Sequence, residues 1–143
     1  LQENHSSQKN LIMSFIGNLL WIILGGFLIA IEYVVAGIIS CVTIIGIPLG
    51  IQSFKLAGAS LWPFGREVTP NRNAGSGLST LLNVVWILVG GIWITLTHLV
   101  LGIALCATLI GIPFGLQHFK LMRLSFTPFG YNFGEVKPNR VNA

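Results

Sequence analysis

Four side chains with chemical potential recur in pairs, Gln52 with Lys55 and Gln117 with Lys120. A spacing of three puts each pair on one face of a helix. Repeated around an axis by several subunits, such a face would form a cationic mouth that favours anions. Alternatively, each lysine lays its stem along lipid and sets its ammonium among cytoplasmic headgroups. Asn18 and Asn83 are polar residues inside apolar surroundings. They would hydrogen-bond a neighbouring helix or line a pore. Thr43 and Thr108 stand five residues before Pro48 and Pro113. A proline removes a helical hydrogen bond, and a nearby hydroxyl can satisfy what it frees. Each proline therefore reads as a broken helix on a conduction pathway, as a packing kink, or as the first turn of an interfacial helix.

The remaining inventory is poor in chemistry. Glu32 is the one acid within the apolar stretch 11–54, and His98 is the one titratable group within 78–116 apart from the single thiol of Cys106. An exposed turn is the expected home of both, with a proton relay as the other reading. Cys41 and Cys106 have no His, Cys or acid nearby at metal-ligand spacing and read as small core residues. The sequence carries no phosphate-binding glycine loop and no nucleophile motif. No enzyme activity, cofactor or metal is expected.

What positions these residues is an unusually apolar chain. It is 53% hydrophobic and 8% charged, where a soluble domain is about one quarter charged. That leaves too little polar surface for a water-soluble globule, so a membrane protein is expected. Leu11–Phe54 and Leu78–Phe119 are each about twice the ~20 residues of one membrane-crossing helix. Two spans per block are expected, meeting near Ile31-Glu32-Tyr33 and Leu96-Thr97-His98.

The two blocks are copies. At an offset of 65, Asn18 meets Asn83, Trp21 meets Trp86, and Gly25-Gly26 meets Gly90-Gly91. Gly37 meets Gly102, and Gly46-Ile47-Pro48-x-Gly50 meets Gly111-Ile112-Pro113-x-Gly115. The Phe-Lys-Leu and Pro-Phe-Gly triplets follow in both. Glycines four apart allow close helix approach. They could join the arms of one hairpin or face another subunit, and so could the Gly-Gly pairs.

Charge then orients the copies. Lys9, Lys55, Arg66, Arg72, Lys120, Arg123, Lys137 and Arg140 all lie outside the blocks or at their edges. By the positive-inside rule both termini and the central linker are cytoplasmic, and the mid-block turns face the other side. Each copy is then a two-helix hairpin, and the copies are parallel. The basic balance suits anionic lipid rather than nucleic acid.

These motifs resemble the YccF family of small bacterial inner-membrane proteins, built from two inner membrane component domains. The resemblance rests on Asn-x-x-Trp, the Gly-Gly pairs, Ile-Gly-Ile-Pro, the Phe-Lys pairs and Leu61-Trp62-Pro63-Phe64-Gly65. It covers about Ser14 to Arg140. The second copy departs where Thr127 replaces Trp62. The resemblance implies a multi-span inner-membrane protein and supplies no activity.

The expected architecture is all-α, with four transmembrane helices in two parallel hairpins. Residues 1–13 form a polar lead-in, 14–72 the first repeat, 73–77 a linker, 78–140 the second repeat and 141–143 a tail. The expected function is that of a non-enzymatic membrane assembly component. It would self-associate in the lipid bilayer or hold another membrane protein. The alternative is an oligomeric channel or transporter for ions or small solutes.

Overall fold

A computed structural model describes residues 2–71 and 77–135. Helix α1 (Gln2–Trp21) runs through a π-helical segment (Ile22–Gly26) into α2 (Phe27–Cys41). A tight turn leads back along α3 (Ile47–Leu61), and strand β1 (Arg66–Pro70) follows. The second copy repeats this order. Helix α4 (Gly77–Trp86), a π-helical segment (Ile87–Gly91) and α5 (Ile92–Cys106) lead to α6 (Ile112–Phe126). A 3-10 turn (Pro128–Gly130) and strand β2 (Tyr131–Glu135) close the described chain. The stretches Asn4–Cys41 and Gly77–Cys106 are both long and apolar enough to cross a membrane.

The sequence placed the turns wrongly. Ile31-Glu32-Tyr33 and Leu96-Thr97-His98 lie inside α2 and α5, and the chain reverses at 42–46 and 107–111 instead. A turn made of Val, Thr, Ile and Gly works because its backbone groups find partners. Val42 N–H donates to Ile39 O, and Ile47 N–H to Ile44 O. Thr43 Oγ1 accepts from Gly46 N–H at 3.0 Å and donates to Ser40 O at 3.3 Å. Thr108 does the same for Gly111 and Leu105. The two threonines thus serve the turn. The prolines neither kink nor break a helix, because each occupies the first turn of its own. There the missing N–H would have had no helical partner anyway.

The arms of each hairpin touch through the glycines. A Cβ on Gly50 would collide with Cys41 Sγ and stand 2.8 Å from Gly37 O. One on Gly115 would meet Cys106 Sγ and Gly102 O in the same way. Phe54 and Phe119 lie over Gly37 and Gly102. Of the two places open to these glycines, the inside of the hairpin is the one they occupy.

Two further features depart from expectation. The polar residues Gln2–Asn10 continue α1 as helix rather than forming a flexible lead-in. The fold is also not purely helical. Strands β1 and β2 pair antiparallel, with Arg66 opposite Glu135 and Pro70 opposite Tyr131. Each copy contributes one strand, so the sheet ties the copies together at the ends of the hairpins remote from the turns. Arg72, Lys137, Arg140, most of the linker and the tail lie outside the described residues.

A side chain at Gly46 would overlap Ser40 O and crowd Thr43 Oγ1 to 2.7 Å. Gly46→Ala and Gly111→Ala are each expected to cost about 1–3 kcal/mol, the usual range for overpacking. The measurement is thermal unfolding in mild detergent. Gly58→Ala is the control, because its Cβ would meet nothing within 4 Å.

Candidate functional site

The polar residues of the repeated motif fasten each first arm to the exit of its own hairpin. Trp21 and Trp86 are fully buried. Their indole N–H groups donate to Ser60 O at 2.6 Å and Ser125 O at 2.8 Å. Asn18 Oδ1 accepts from Phe64 N–H at 2.8 Å, and its Nδ2 donates to Phe64 O at 3.2 Å. Asn83 Oδ1 accepts from Phe129 N–H at 3.0 Å. These contacts span the same sequence distance in both copies. They explain why Asn-x-x-Trp and Pro-Phe-Gly occur together: one reads the backbone of the other.

Where the copies meet, a second polar layer lies deep in the helices. Tyr33 stacks on Trp86 with ring centres 6.1 Å apart. Ser53 Oγ donates to Tyr33 O across the first hairpin. The equivalent positions of the second hairpin are His98 and His118, whose Nδ1 atoms are 2.9 Å apart. Glu32 accepts a hydrogen bond from Thr97 Oγ1 at 2.7 Å. Neither Glu32 nor His98 occupies a turn. Glu32 is half-buried and His98 fully buried.

The contact to Leu24 O goes with one arrangement of protons in the histidine pair. His118 Nε2 lies 3.5 Å from Leu24 O. A carbonyl only accepts, so a hydrogen bond there requires the tautomer with hydrogen on that nitrogen. In a neutral ring Nδ1 of His118 is then the acceptor, and His98 Nδ1 donates to it. His98 Nε2 is left a bare acceptor, buried and without a partner. Leu24 O needs this help because the helix breaks beside it. Gly25 has φ 138°, and a Cβ there would stand 2.9 Å from the His118 ring and from Leu101. Gly90 makes no such break; its Cβ would meet Ala36.

The other candidates scatter. Within one chain, Asn18, Asn83, Thr43, Thr108, Gln52 and Gln117 do not gather on one axis. The asparagines sit at the exits and the threonines at the turns. Gln117 is buried with Nε2 unpaired. Lys120 does not reach outward: its ammonium donates to Pro63 O at 3.3 Å and Arg66 O at 2.8 Å of the other copy. Lys55 is exposed. Gly26 and Gly91 make room for the indoles of Trp21 and Trp86. No group of three or more metal-ligating side chains occurs among the described residues.

Sequence reasoning passed over Tyr33, Ser53, Thr97 and His118. The available signal was the offset itself. Positions 33/98 and 53/118 are polar in both copies inside otherwise apolar arms, yet differ in kind. Trp21→Phe and Trp86→Phe are each expected to destabilise the fold by about 1–3 kcal/mol, because Ser60 O or Ser125 O loses its indole donor. Thermal melts of the single and double variants in detergent provide the check.

Comparison with known proteins follows the same division into copies. The inner membrane component domain, YccF, matches residues 16–66 and again 81–131. Over 121 residues the chain is 34% identical to the inner membrane protein YccF of Escherichia coli K12, covering 79% of this chain and 82% of that one. The Shigella flexneri protein of the same name matches equally. No solved structure matches. With two domain matches filling most of its length, each holding one Asn-x-x-Trp and one Pro-Phe-Gly, the chain belongs to the YccF family of inner-membrane proteins.

Proposed function

We propose that this chain is a non-enzymatic assembly component of the inner membrane, whose two hairpins enter from the cytoplasmic face and whose first helix mates with further copies of itself. The observation that carries self-association is the uncovered start of α1. Leu11, Ser14 and Phe15 border a groove of about 600 Å³ with Trp62, Phe64 and Arg66. Leu11, Ile12, Met13 and Ile16 are all exposed along this same stretch of α1. Arg66 opens a strand that belongs in water or among headgroups, so this apolar stretch stands at the membrane's edge. A second copy would cover it. The glycines give no support to self-association, since they are used inside the hairpins and, at Gly25 and Gly90, between the two copies.

The absence of catalysis is supported by the use to which the polar groups are put. The asparagines, tryptophans and threonines of the motif bond backbone atoms of the fold.

Orientation follows from charge and from the turns. Lys55, Arg66, Lys120 and Arg123 lie toward the sheet end, and both turns are uncharged. Ile44 is 87% and Leu109 90% exposed. Side chains of this kind at a hairpin tip favour hydrocarbon over water. The return arms α3 and α6, 15 residues each, reach about 22 Å, short of the ~30 Å hydrocarbon core. The threonine-sealed turns suit a tip that ends inside the bilayer, where irregular backbone must be satisfied internally.

Two experiments test this reading. Mass measurement in lipid nanodiscs is expected to show multiples of the 15.5 kDa chain. Ile12→Glu with Ile16→Glu should reduce them to monomer with the helical content unchanged. Monomer alone in the unaltered protein at all concentrations would sink the assembly claim. For topology, Ile44→Cys and Leu109→Cys are made with Cys41 and Cys106 replaced by Ala. Neither should react with a membrane-impermeant maleimide added outside intact cells, whereas Arg66→Cys should react in inverted vesicles. External labelling at 44 or 109 would show that the hairpins cross fully.

A further inference from the structure

Between α3 and the sheet lies a groove of about 510 Å³, bordered by Gln52, Lys55, Arg66, Tyr131 and Asn132, with Gly58 in its wall. Strand geometry decides which charges face it. Side chains alternate along a strand, so Arg66 on the groove side leaves Glu67 on the other. Arg66 has its guanidinium 5.6 Å from the centre of the Phe133 ring. Lys55 makes no hydrogen bond or ion pair among the described residues, and it is exposed. Its ammonium is therefore a free cation of the groove, and the Gln52 side chain supplies further donors.

The groove is not polar throughout. Ile51 lies one turn before Lys55 on the same helix face, toward the hairpin tip, and it is exposed, as is Phe54 beside it. A ligand held here would meet a cation and amide donors at one end and bare hydrocarbon at the other. The second copy has the matching place, bordered by Leu116, Lys120 and Arg123. There, however, Lys120 is already bound to Pro63 O and Arg66 O. The two sites are therefore unequal: the lysine of the first is unbound, whereas in the second the lysine is spent and Arg123 stands where the first has Gly58.

We infer that the groove at Lys55 binds the phosphate headgroup of an anionic phospholipid, with an acyl chain running over Ile51 and Phe54 toward the hairpin tip. The inference rests on the orientation proposed above, which sets the groove at the cytoplasmic surface where anionic lipid attracts basic residues. Phosphate oxygens accept from Lys55 and from the Gln52 amide. The apolar strip beyond distinguishes a lipid from a free anion, which would gain nothing from it.

Gly58 offers a clean probe. A Cβ there meets nothing within 4 Å, so Gly58→Glu places a negative charge in the groove without crowding the fold, and Gly58→Ala is its neutral control. The protein is purified in mild detergent with equimolar phosphatidylglycerol and phosphatidylcholine, and retained lipid is read by native mass spectrometry. Unaltered protein and Gly58→Ala should retain phosphatidylglycerol preferentially. Lys55→Gln should lower that preference about fivefold, the scale of one basic residue at an anionic surface, and Gly58→Glu at least as much. Equal retention of the two lipids by the unaltered protein, or a preference untouched by Lys55→Gln, would overturn the inference. If Gly58→Glu fails to fold, Lys55→Gln decides alone. Displacement of the lipid by millimolar glycerol phosphate would reassign the groove to soluble phosphate esters and likewise overturn it. The cysteine labelling above is a separate readout, so loss of lipid preference with labelling as expected would refute the groove and leave the orientation standing.

Discussion

A peptide group without a partner is costly in an apolar environment, and this fold is organised around preventing that cost. Three places leave backbone groups exposed to the problem: the reversal of each hairpin, its exit, and the break at Gly25. Each is met by a side chain from the repeated sequence or from the other copy. Thr43 and Thr108 close the reversals. Trp21, Asn18, Trp86 and Asn83 serve the exits. His118 reaches across to Leu24 O at the break. Read this way, the near-identical phrasing of the two copies is a list of backbone partners.

That view separates what the sequence made legible from what it did not. The duplication, the paired helices and the glycine contacts within hairpins follow from residues at fixed offsets and from small-residue spacing. The turn did not follow. Glu32 and Tyr33 looked like the natural interruption of an apolar block, because polarity is the usual mark of a loop. Here the polar pair is inside α2, with Glu32 bonded to Thr97 and Tyr33 stacked on Trp86. The true reversal is apolar, since its polar needs are met by its own threonine. Satisfaction of hydrogen bonds, which composition does not display, decided the position of the turn.

The candidate site was legible in part for a related reason. Asn18, Asn83, Thr43 and Thr108 were identifiable as hydrogen-bonding residues, but their partners proved to be local backbone. The polar layer of Tyr33, Ser53, His98 and His118 depends on which faces of two hairpins oppose each other, and a single chain's spacing does not encode that. The strands escaped notice because Arg66–Pro70 and Tyr131–Glu135 are five residues each, too short for the alternation of Tyr131 and Phe133 with Asn132 and Gly134 to stand out.

The two-stranded sheet has a consequence for how the molecule comes into being. β1 leaves the ribosome some sixty residues before β2, its partner in the ladder Arg66–Glu135 to Pro70–Tyr131. Through that interval the first hairpin has a strand with an open edge. A stretch synthesised some sixty residues later supplies the missing edge, while Asn71 N–H finds Gly130 O beside it. Closure of the sheet is thus a late event in biogenesis. It acts as a clasp that can fasten only after both hairpins have been delivered, and a chain truncated before Tyr131 would emerge with the clasp undone.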